Sequence, residues 1–133
     1  YKTIRESDEL VTAIEIPALR PGEGTGYCRL SRRKAQDIGK ILIGCRVRLD
    51  GERIAEVSVS LGALIPTVVH DAELEGLLVG KTPEEALALA AVTYPAEAKL
   101  RESYYKTYKQ DAVCPAVVRA LSMALADAKG ERA

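Results

Sequence analysis

The chain has 133 residues, of which 47% are hydrophobic and 29% charged, a balance typical of one soluble globular domain. Its 19 basic and 19 acidic residues cancel, which disfavours nucleic acid or a membrane surface as the main partner. Three cysteines without a Cys-x-x-Cys pair and a single histidine argue against a disulfide framework, a zinc site and an iron–sulfur cluster. With no signal peptide and no membrane-length apolar run, we expect a cytoplasmic protein with reduced thiols.

The first third of the chain contains two strand-like runs separated by turn-forming residues. Leu10–Ile16 is rich in β-branched residues and predicts a strand that stops at the following proline. Pro17–Gly26 holds two prolines and three glycines, which predicts a flexible loop. Tyr27–Leu30 is then expected to form a short extended segment.

A β-hairpin is the clearest local signal. Apolar residues alternate with other residues along the first predicted strand, at Ile41, Ile43, Cys45, Val47 and Leu49. Asp50-Gly51 predicts a type I′ turn, after which Ala55 to Leu61 alternates in the same way. Ile54 falls outside that alternation, so we expect a β-bulge near Ile54-Ala55.

The second half predicts three helices. Asp71–Val79 is a short helix with an aspartate at its start, and Thr82–Glu85 is a capping box that opens a second helix ending before Pro95. A third apolar pattern of helical spacing starts near Glu102, and we expect Pro115 to kink or split it. Strands first and helices later predict an α+β sandwich, with a small antiparallel sheet of three or four strands and a three-helix layer on one face.

A dense basic turn lies between the first strand and the hairpin. The segment Gly26–Gly39 carries four positive charges, on Arg29, Arg32, Arg33 and Lys34. Such a turn can hold an anion or the polar edge of a cofactor. A solvated basic turn between two strands explains the same pattern, and charge runs alone do not separate the two readings.

Other candidate sites have simpler structural explanations. His70 beside Asp71 is an acid–base candidate, but an aspartate at a helix start is an ordinary cap. Tyr104, Tyr105 and Tyr108 can form a stacking platform, although tyrosines at helical spacing are more often packing residues. The glycine-rich run before the first strand fits neither a P-loop nor a dinucleotide fingerprint. From pattern alone we assign no catalytic residue and no metal ligand.

Four segments, taken in order, carry a family resemblance. They are Glu9–Pro17, Tyr27–Ile38, Leu61–Thr67 with Ala72-Glu73 and Leu77–Lys81, and Ser103–Lys106 with Val118–Leu121. Together they resemble the carbon monoxide dehydrogenase flavoprotein C-terminal domain. This is the C-terminal domain of the FAD-binding (medium) subunit of molybdenum hydroxylases, shared with xanthine dehydrogenase and aldehyde oxidoreductase. The second segment is similar to the family pattern Tyr-x-Lys-x-Ser-Arg-Arg-x-x-x-Asp-Ile. Arg29 replaces the usual lysine, and Pro115 interrupts a helix that is usually continuous.

The resemblance implies that residues 1–133 form a single domain of a larger subunit whose flavin-binding N-terminal domain is outside this sequence. FAD would be bound mainly by that domain, so the isolated chain is not expected to be active. A molybdopterin-binding large subunit and an iron–sulfur small subunit would carry the molybdenum cofactor and the [2Fe–2S] clusters. Electrons would pass from those clusters to FAD and then to NAD, a quinone or oxygen.

The resemblance also implies a cofactor-facing site. Tyr27, Arg29, Arg32, Arg33 and Asp37 would lie near the isoalloxazine ring, where cations stabilise the charge of reduced flavin. Asp37 would orient the arginines through charge-assisted hydrogen bonds. A purely structural alternative is that these residues lock the turn to the neighbouring domain.

Two rival functions remain open at this point. The first is a non-catalytic subunit-interaction module that has the same fold and makes no flavin contact. The second is a small independent enzyme that uses His70 and Asp71.

Overall fold

The computed structural model describes residues 4–33, 36–93 and 106–131. Its four strands form one antiparallel sheet in the order β1-β2-β3-β4, and three helices follow them in the chain. The elements are β1 Glu23–Leu30, β2 Ile41–Asp50, β3 Arg53–Gly62, β4 Val69–His70, α1 Ala72–Leu78, α2 Pro83–Thr93 and α3 Lys106–Ala128. The predicted α+β fold is confirmed.

The β2–β3 hairpin forms the centre of the sheet, and one of its faces is buried. The alternating residues Ile41, Ile43, Cys45 and Val47 are at most 5% exposed. The predicted bulge is present, since pairing shifts between Arg48 and Leu49 as the partner moves from Glu56 to Ile54. The turn differs from the prediction, however. Gly51 has a positive φ and Glu52 does not, which is the pattern of a type II′ turn rather than type I′.

Helix α3 lies directly on the backbone of β1. A Cβ atom built on Gly26 would be 1.9 Å from the Ala120 carbonyl oxygen, and one on Gly24 would be 2.2 Å from that of Ala124. The predicted flexible loop over Pro17–Gly26 is therefore wrong at its end, because Gly24 and Gly26 are strand residues that make room for a helix. Asp127 fixes the same contact at the strand edge, accepting a hydrogen bond from the Thr25 amide at 2.9 Å.

The strand predicted over Leu10–Ile16 is not formed. No strand of the described chain pairs with this segment, and Leu10, Ile14 and Ile16 are each more than 80% exposed. Apolar β-branched residues favour a strand only where a pleated neighbour is available to cover them. Within the described residues, no such neighbour lies beside the segment.

The predicted N-terminal caps of the first two helices are confirmed. Asp71 is the N-cap of α1, where its side chain accepts a hydrogen bond from the Leu74 amide. The capping box of α2 is reciprocal, since Thr82 N donates to Glu85 Oε2 at 2.9 Å and Glu85 N donates to Thr82 Oγ1 at 3.3 Å. Both caps follow from local sequence.

Helix α3 runs without a break through Pro115, so the expectation that it splits there is wrong. Pro115 has no N–H to donate to the Asp111 carbonyl, but both residues are exposed, so that carbonyl faces water. The opposite side of the helix is buried, and it carries three alanines, Ala116, Ala120 and Ala124, among larger valine and leucine residues. The predicted start near Glu102 and the tyrosines Tyr104 and Tyr105 lie outside the described residues.

A buried carboxylate on the outer side of the sheet holds the segment before β1. The Glu23 side chain is 3% exposed and accepts hydrogen bonds from Arg20 Nη2 at 2.7 Å and Arg46 Nη1 at 2.8 Å. Arg20 also pairs with Glu56, which Arg48 contacts at 2.9 Å. Bonds from the Arg20 side chain and amide outweigh the desolvation of the carboxylate and lower the pKa of Glu23 to about 2.

We predict that Gly26→Ala lowers the free energy of unfolding by at least about 3 kcal/mol, because the new methyl group meets helix backbone that cannot rotate away. Gly76→Ala is the matched control, since Gly76 lies in α1 with open space around it and should gain about 1 kcal/mol of helix propensity. Urea unfolding of both variants measures the difference. Equal stability of Gly26→Ala and the parent would contradict the close helix–strand contact.

We predict that Glu23 contributes to the loss of stability in acid. Its folded pKa lies below the ordinary value of 4.5, so its contribution is present above pH 4.5 and is lost as pH falls towards about 2. The stability difference between the parent and Glu23→Gln, measured by urea unfolding from pH 6 to pH 2, should shrink over that interval. A difference that stays constant with pH would show that the carboxylate is not stabilised by folding.

Candidate functional site

The basic turn connects the end of β1 to the start of β2. Leu30 pairs with Ile41, and Lys40 N donates to the Leu30 carbonyl at 2.7 Å, so the two ends of the turn are held at one point of the sheet. The loop from β3 to β4 leaves the sheet at this same end, because Leu42 is paired with Gly62. The opposite end of the sheet carries the β2–β3 turn. The turn that carries the site is therefore anchored at both of its ends to paired strands.

The carboxylate of Asp37 closes the turn through backbone amides. Asp37 Oδ2 accepts hydrogen bonds from Arg32 N at 2.7 Å and from Arg33 N at 3.0 Å. Desolvation raises the pKa of Asp37, but these amides, that of Ile38 and the charge of Arg33 outweigh it, and the net pKa lies below its ordinary value. We expected Asp37 to orient arginine side chains; the structure corrects this, since its hydrogen bonds go to their main chain.

Two of the three arginine side chains brace the turn. Arg29 Nη2 donates to the Asp37 carbonyl, and Arg33 Nη2 donates to the Gln36 carbonyl at 2.9 Å. Ser31 Oγ donates to the Arg33 carbonyl at 2.9 Å. These bonds satisfy the carbonyls of Arg33, Gln36 and Asp37, and Gln36 itself has a positive φ of 52°.

The guanidinium of Arg32 differs from the other two. Among residues 4–33, 36–93 and 106–131, it makes no hydrogen bond and no ion pair, although its own amide is held by Asp37. Arg32, Arg33 and Asp37 together line an open cleft on the turn. The structure thus brings three of the five predicted site residues to one cleft, with Arg29 reaching it through its bond to the Asp37 carbonyl.

Tyr27 lies on the strand rather than in the cleft. It points from the outer face of the sheet and is 54% exposed, opposite Gly44 of β2 and on the same face as Arg29. Ser60 follows Gly44 across the sheet, so small residues extend beside the tyrosine ring. Tyr27 therefore presents an aromatic surface next to the turn without contributing to the bonds that shape it.

A cluster that sequence reasoning missed joins β3, β4 and α1. His70 Nδ1 lies 3.1 Å from Ser58 Oγ and 3.4 Å from Glu75 Oε1, and Glu75 Oε1 also accepts from Val59 N at 2.7 Å. Both contacts use the same ring nitrogen, whereas a serine–histidine–acid relay uses opposite nitrogens. The cluster holds β3, β4 and α1 together. Its members are far apart in sequence, so only the pairing register of β3 with β4 could have predicted it.

The proposed His70–Asp71 catalytic pair is not supported by this geometry. The Asp71 carboxylate is buried and caps α1, while His70 faces Ser58 and Glu75 on the exposed side of the sheet. Neighbouring residues of an extended segment point to opposite sides, so adjacency in sequence does not bring these two side chains together.

Metal and thiol chemistry find no support in the described part of the chain. No group of three histidine, cysteine or acidic side chains there is arranged to hold a metal ion. Burial, aided by the negative charge of Glu75, raises the pKa of the Cys45 thiol to about 12, and burial also raises that of Cys114. Among the same residues, no helix is long and apolar enough to span a bilayer.

The model of the CO dehydrogenase flavoprotein C-terminal domain family matches residues 26–124, which include the basic turn. A curated relative, the carbon monoxide dehydrogenase medium chain of Hydrogenophaga pseudoflava, is 31% identical over 115 residues. The alignment covers 80% of this chain and 39% of that relative, so this chain spans about two-fifths of the length of its relative.

Solved structures agree with this match. Carbon monoxide dehydrogenase from Hydrogenophaga pseudoflava, in a form lacking the Mo-pyranopterin moiety of the molybdenum cofactor, aligns with a TM-score of 0.72 at 26% identity, covering 84% of this chain and 40% of that chain. Reconstituted CO dehydrogenase from Oligotropha carboxidovorans shares the fold with a TM-score of 0.65 at 22% identity, covering 84% of this chain and 40% of that chain. Quinoline 2-oxidoreductase from Pseudomonas putida 86 shares it with a TM-score of 0.61 at 18% identity, covering 85% of this chain and 39% of that chain. The chain belongs to the CO dehydrogenase flavoprotein C-terminal domain family.

Proposed function

We propose that this chain is the C-terminal domain of the FAD-binding subunit of a molybdenum hydroxylase-type oxidoreductase, and that its basic turn borders the flavin ring. The observation that carries the proposal is the turn itself, which lies within the matched region and presents a guanidinium group without a partner in the described chain. The turn is braced by its own bonds, so it is preorganised to meet a ligand.

The residues fit the polar edge of a flavin. Bound FAD takes up and passes on electrons, and reduction places negative charge on the pyrimidine edge of its ring. Arg32 and Arg33 line a cleft that offers positive charge, and Asp37 fixes the backbone beneath them. An exposed aromatic side chain, Tyr27, stands beside the turn and suits a planar ring.

The rest of the complex is proposed from the family. FAD would be held mainly by a flavin-binding domain of the same subunit, with the molybdenum cofactor in a large subunit and [2Fe–2S] clusters in a small subunit. Electrons would enter FAD from those clusters and leave to NAD, a quinone or oxygen. We propose a cytoplasmic location for the complex, with an enzyme of the CO, xanthine or aldehyde dehydrogenase type as the whole.

One observation also favours the alternative of a subunit-interaction module. The apolar side chains of Leu10, Ile14 and Ile16 are exposed, which suits a docked neighbour. This feature is compatible with either function, because a flavin-binding domain is itself such a neighbour. Flavin contact at the basic turn therefore separates the two hypotheses.

We predict that the double variant Arg32→Gln/Arg33→Gln, made in the whole flavoprotein subunit, slows reduction of the oxidised flavin on the order of tenfold, because the two cations stabilise the negative charge that reduction creates. Two exposed cations contribute less than a buried oxyanion donor, so a larger loss is not expected. Stopped-flow absorbance of the flavin band measures the rate, and far-ultraviolet circular dichroism checks the fold.

Lys129→Gln is the matched control, since it removes an exposed cation near the β2–β3 turn, at the opposite end of the sheet. It should leave the rate of flavin reduction unchanged. A flavin-containing subunit in which the double variant behaves like Lys129→Gln would favour the interaction module, and a subunit without flavin would exclude the oxidoreductase role.

A further inference from the structure

The three arginines of the basic turn are chemically alike, but their surroundings divide them into two classes. The Arg29 guanidinium donates a hydrogen bond to the Asp37 carbonyl, and the Arg33 guanidinium donates one to the Gln36 carbonyl. Arg33 also lies close enough to the Asp37 carboxylate for its charge to help lower the pKa of that group. These two side chains are thus committed to the shape of the turn.

Arg32 has the opposite arrangement, because its main chain is held by a hydrogen bond whereas its guanidinium is not bonded to any described residue. Its amide donates to Asp37 Oδ2 at 2.7 Å, the shorter of the two amide bonds to that oxygen, so its main chain is held firmly. Its exposed guanidinium has no bonded partner among the described residues. A side chain that loses little backbone freedom on binding, and that breaks no bond to bind, is favoured as a ligand contact.

The surface around Arg32 suits a flat ring with one electron-rich edge. Ile38, the residue after Asp37, is 82% exposed, so the turn also presents apolar surface. A guanidinium has parallel N–H groups that match two acceptor atoms on one edge of a heteroaromatic ring. Apolar surface beside such a donor pair would contact the face or rim of the same ring.

We infer that Arg32 is the residue of the turn that contacts the electron-rich edge of the flavin, and that Arg29 and Arg33 are positioning residues that hold the turn. This inference rests on the proposed function and assigns the roles within it. It follows that charge at position 32 should favour reduced over oxidised flavin, while positions 29 and 33 should act through the stability of the turn.

The test is the midpoint potential of the bound flavin in the whole subunit, measured by dye-equilibrated titration. We predict that Arg32→Gln lowers the potential by about 30 mV, which corresponds to a tenfold loss in the preference for the two-electron reduced form. Its thermal unfolding temperature should stay within a degree or two of the parent, since no described bond is lost. Arg32→Lys keeps the charge and should retain most of the potential.

Arg33→Gln, one residue away and equal in charge change, tests this assignment of roles. It should lower the unfolding temperature more than Arg32→Gln does, because the Gln36 carbonyl loses its donor, while moving the potential much less. Lys129→Gln, at the opposite end of the sheet, is the control and should leave the potential unchanged. A lower potential in Arg33→Gln with none in Arg32→Gln would overturn the assignment and leave the proposed function standing. A flavin potential unmoved by either variant would overturn both.

Discussion

The close contact between α3 and the backbone of β1 is the constraint on which the rest of the structure depends. Gly24 and Gly26 lack the atoms that would hold the helix away, and Ala120 and Ala124 bring its backbone against them. A helix placed this near a strand excludes water from the shared surface, and its valine and leucine side chains, among them Val117 and Leu121, join the apolar face of the hairpin in one core. The contact also fixes β1 from within the core, and β1 carries the basic turn at its end.

The helix–strand contact is connected to the site through β1 and the hydrogen bonds of the turn. The paired ends of β1 and β2 fix where the turn begins and ends, and the bonds of Asp37, Ser31, Arg29 and Arg33 hold the described residues on either side of positions 34 and 35. A binding group placed on such a support needs no large rearrangement when its ligand arrives. The site can therefore lie on the surface and still be well defined, which suits a domain that borders a cofactor held mainly by another domain.

Local signals in the sequence predicted local structure well. The Thr82–Glu85 capping box, the hairpin alternation and the bulge near Ala55 all depend on residues a few positions apart, and each is formed. The type of the turn at Gly51 was a local error, whereas most other errors depend on distant partners. Gly24 and Gly26 resemble loop residues until α3, about a hundred residues later, is placed on them. The sequence also could not predict which arginines bond to the turn, because that depends on which carbonyls the folded turn presents.

The bonds of Asp37 have a further consequence for selectivity. Two successive main-chain N–H groups, at Arg32 and Arg33, form the kind of concave seat that attracts phosphate, and here the protein's own carboxylate already sits in it. Inorganic phosphate and free nucleotides, abundant in any cell, meet an occupied seat and must compete with a tethered anion of high effective concentration. These two amides are thus closed to phosphate, which leaves the side chains of the turn as the groups that can meet a ligand.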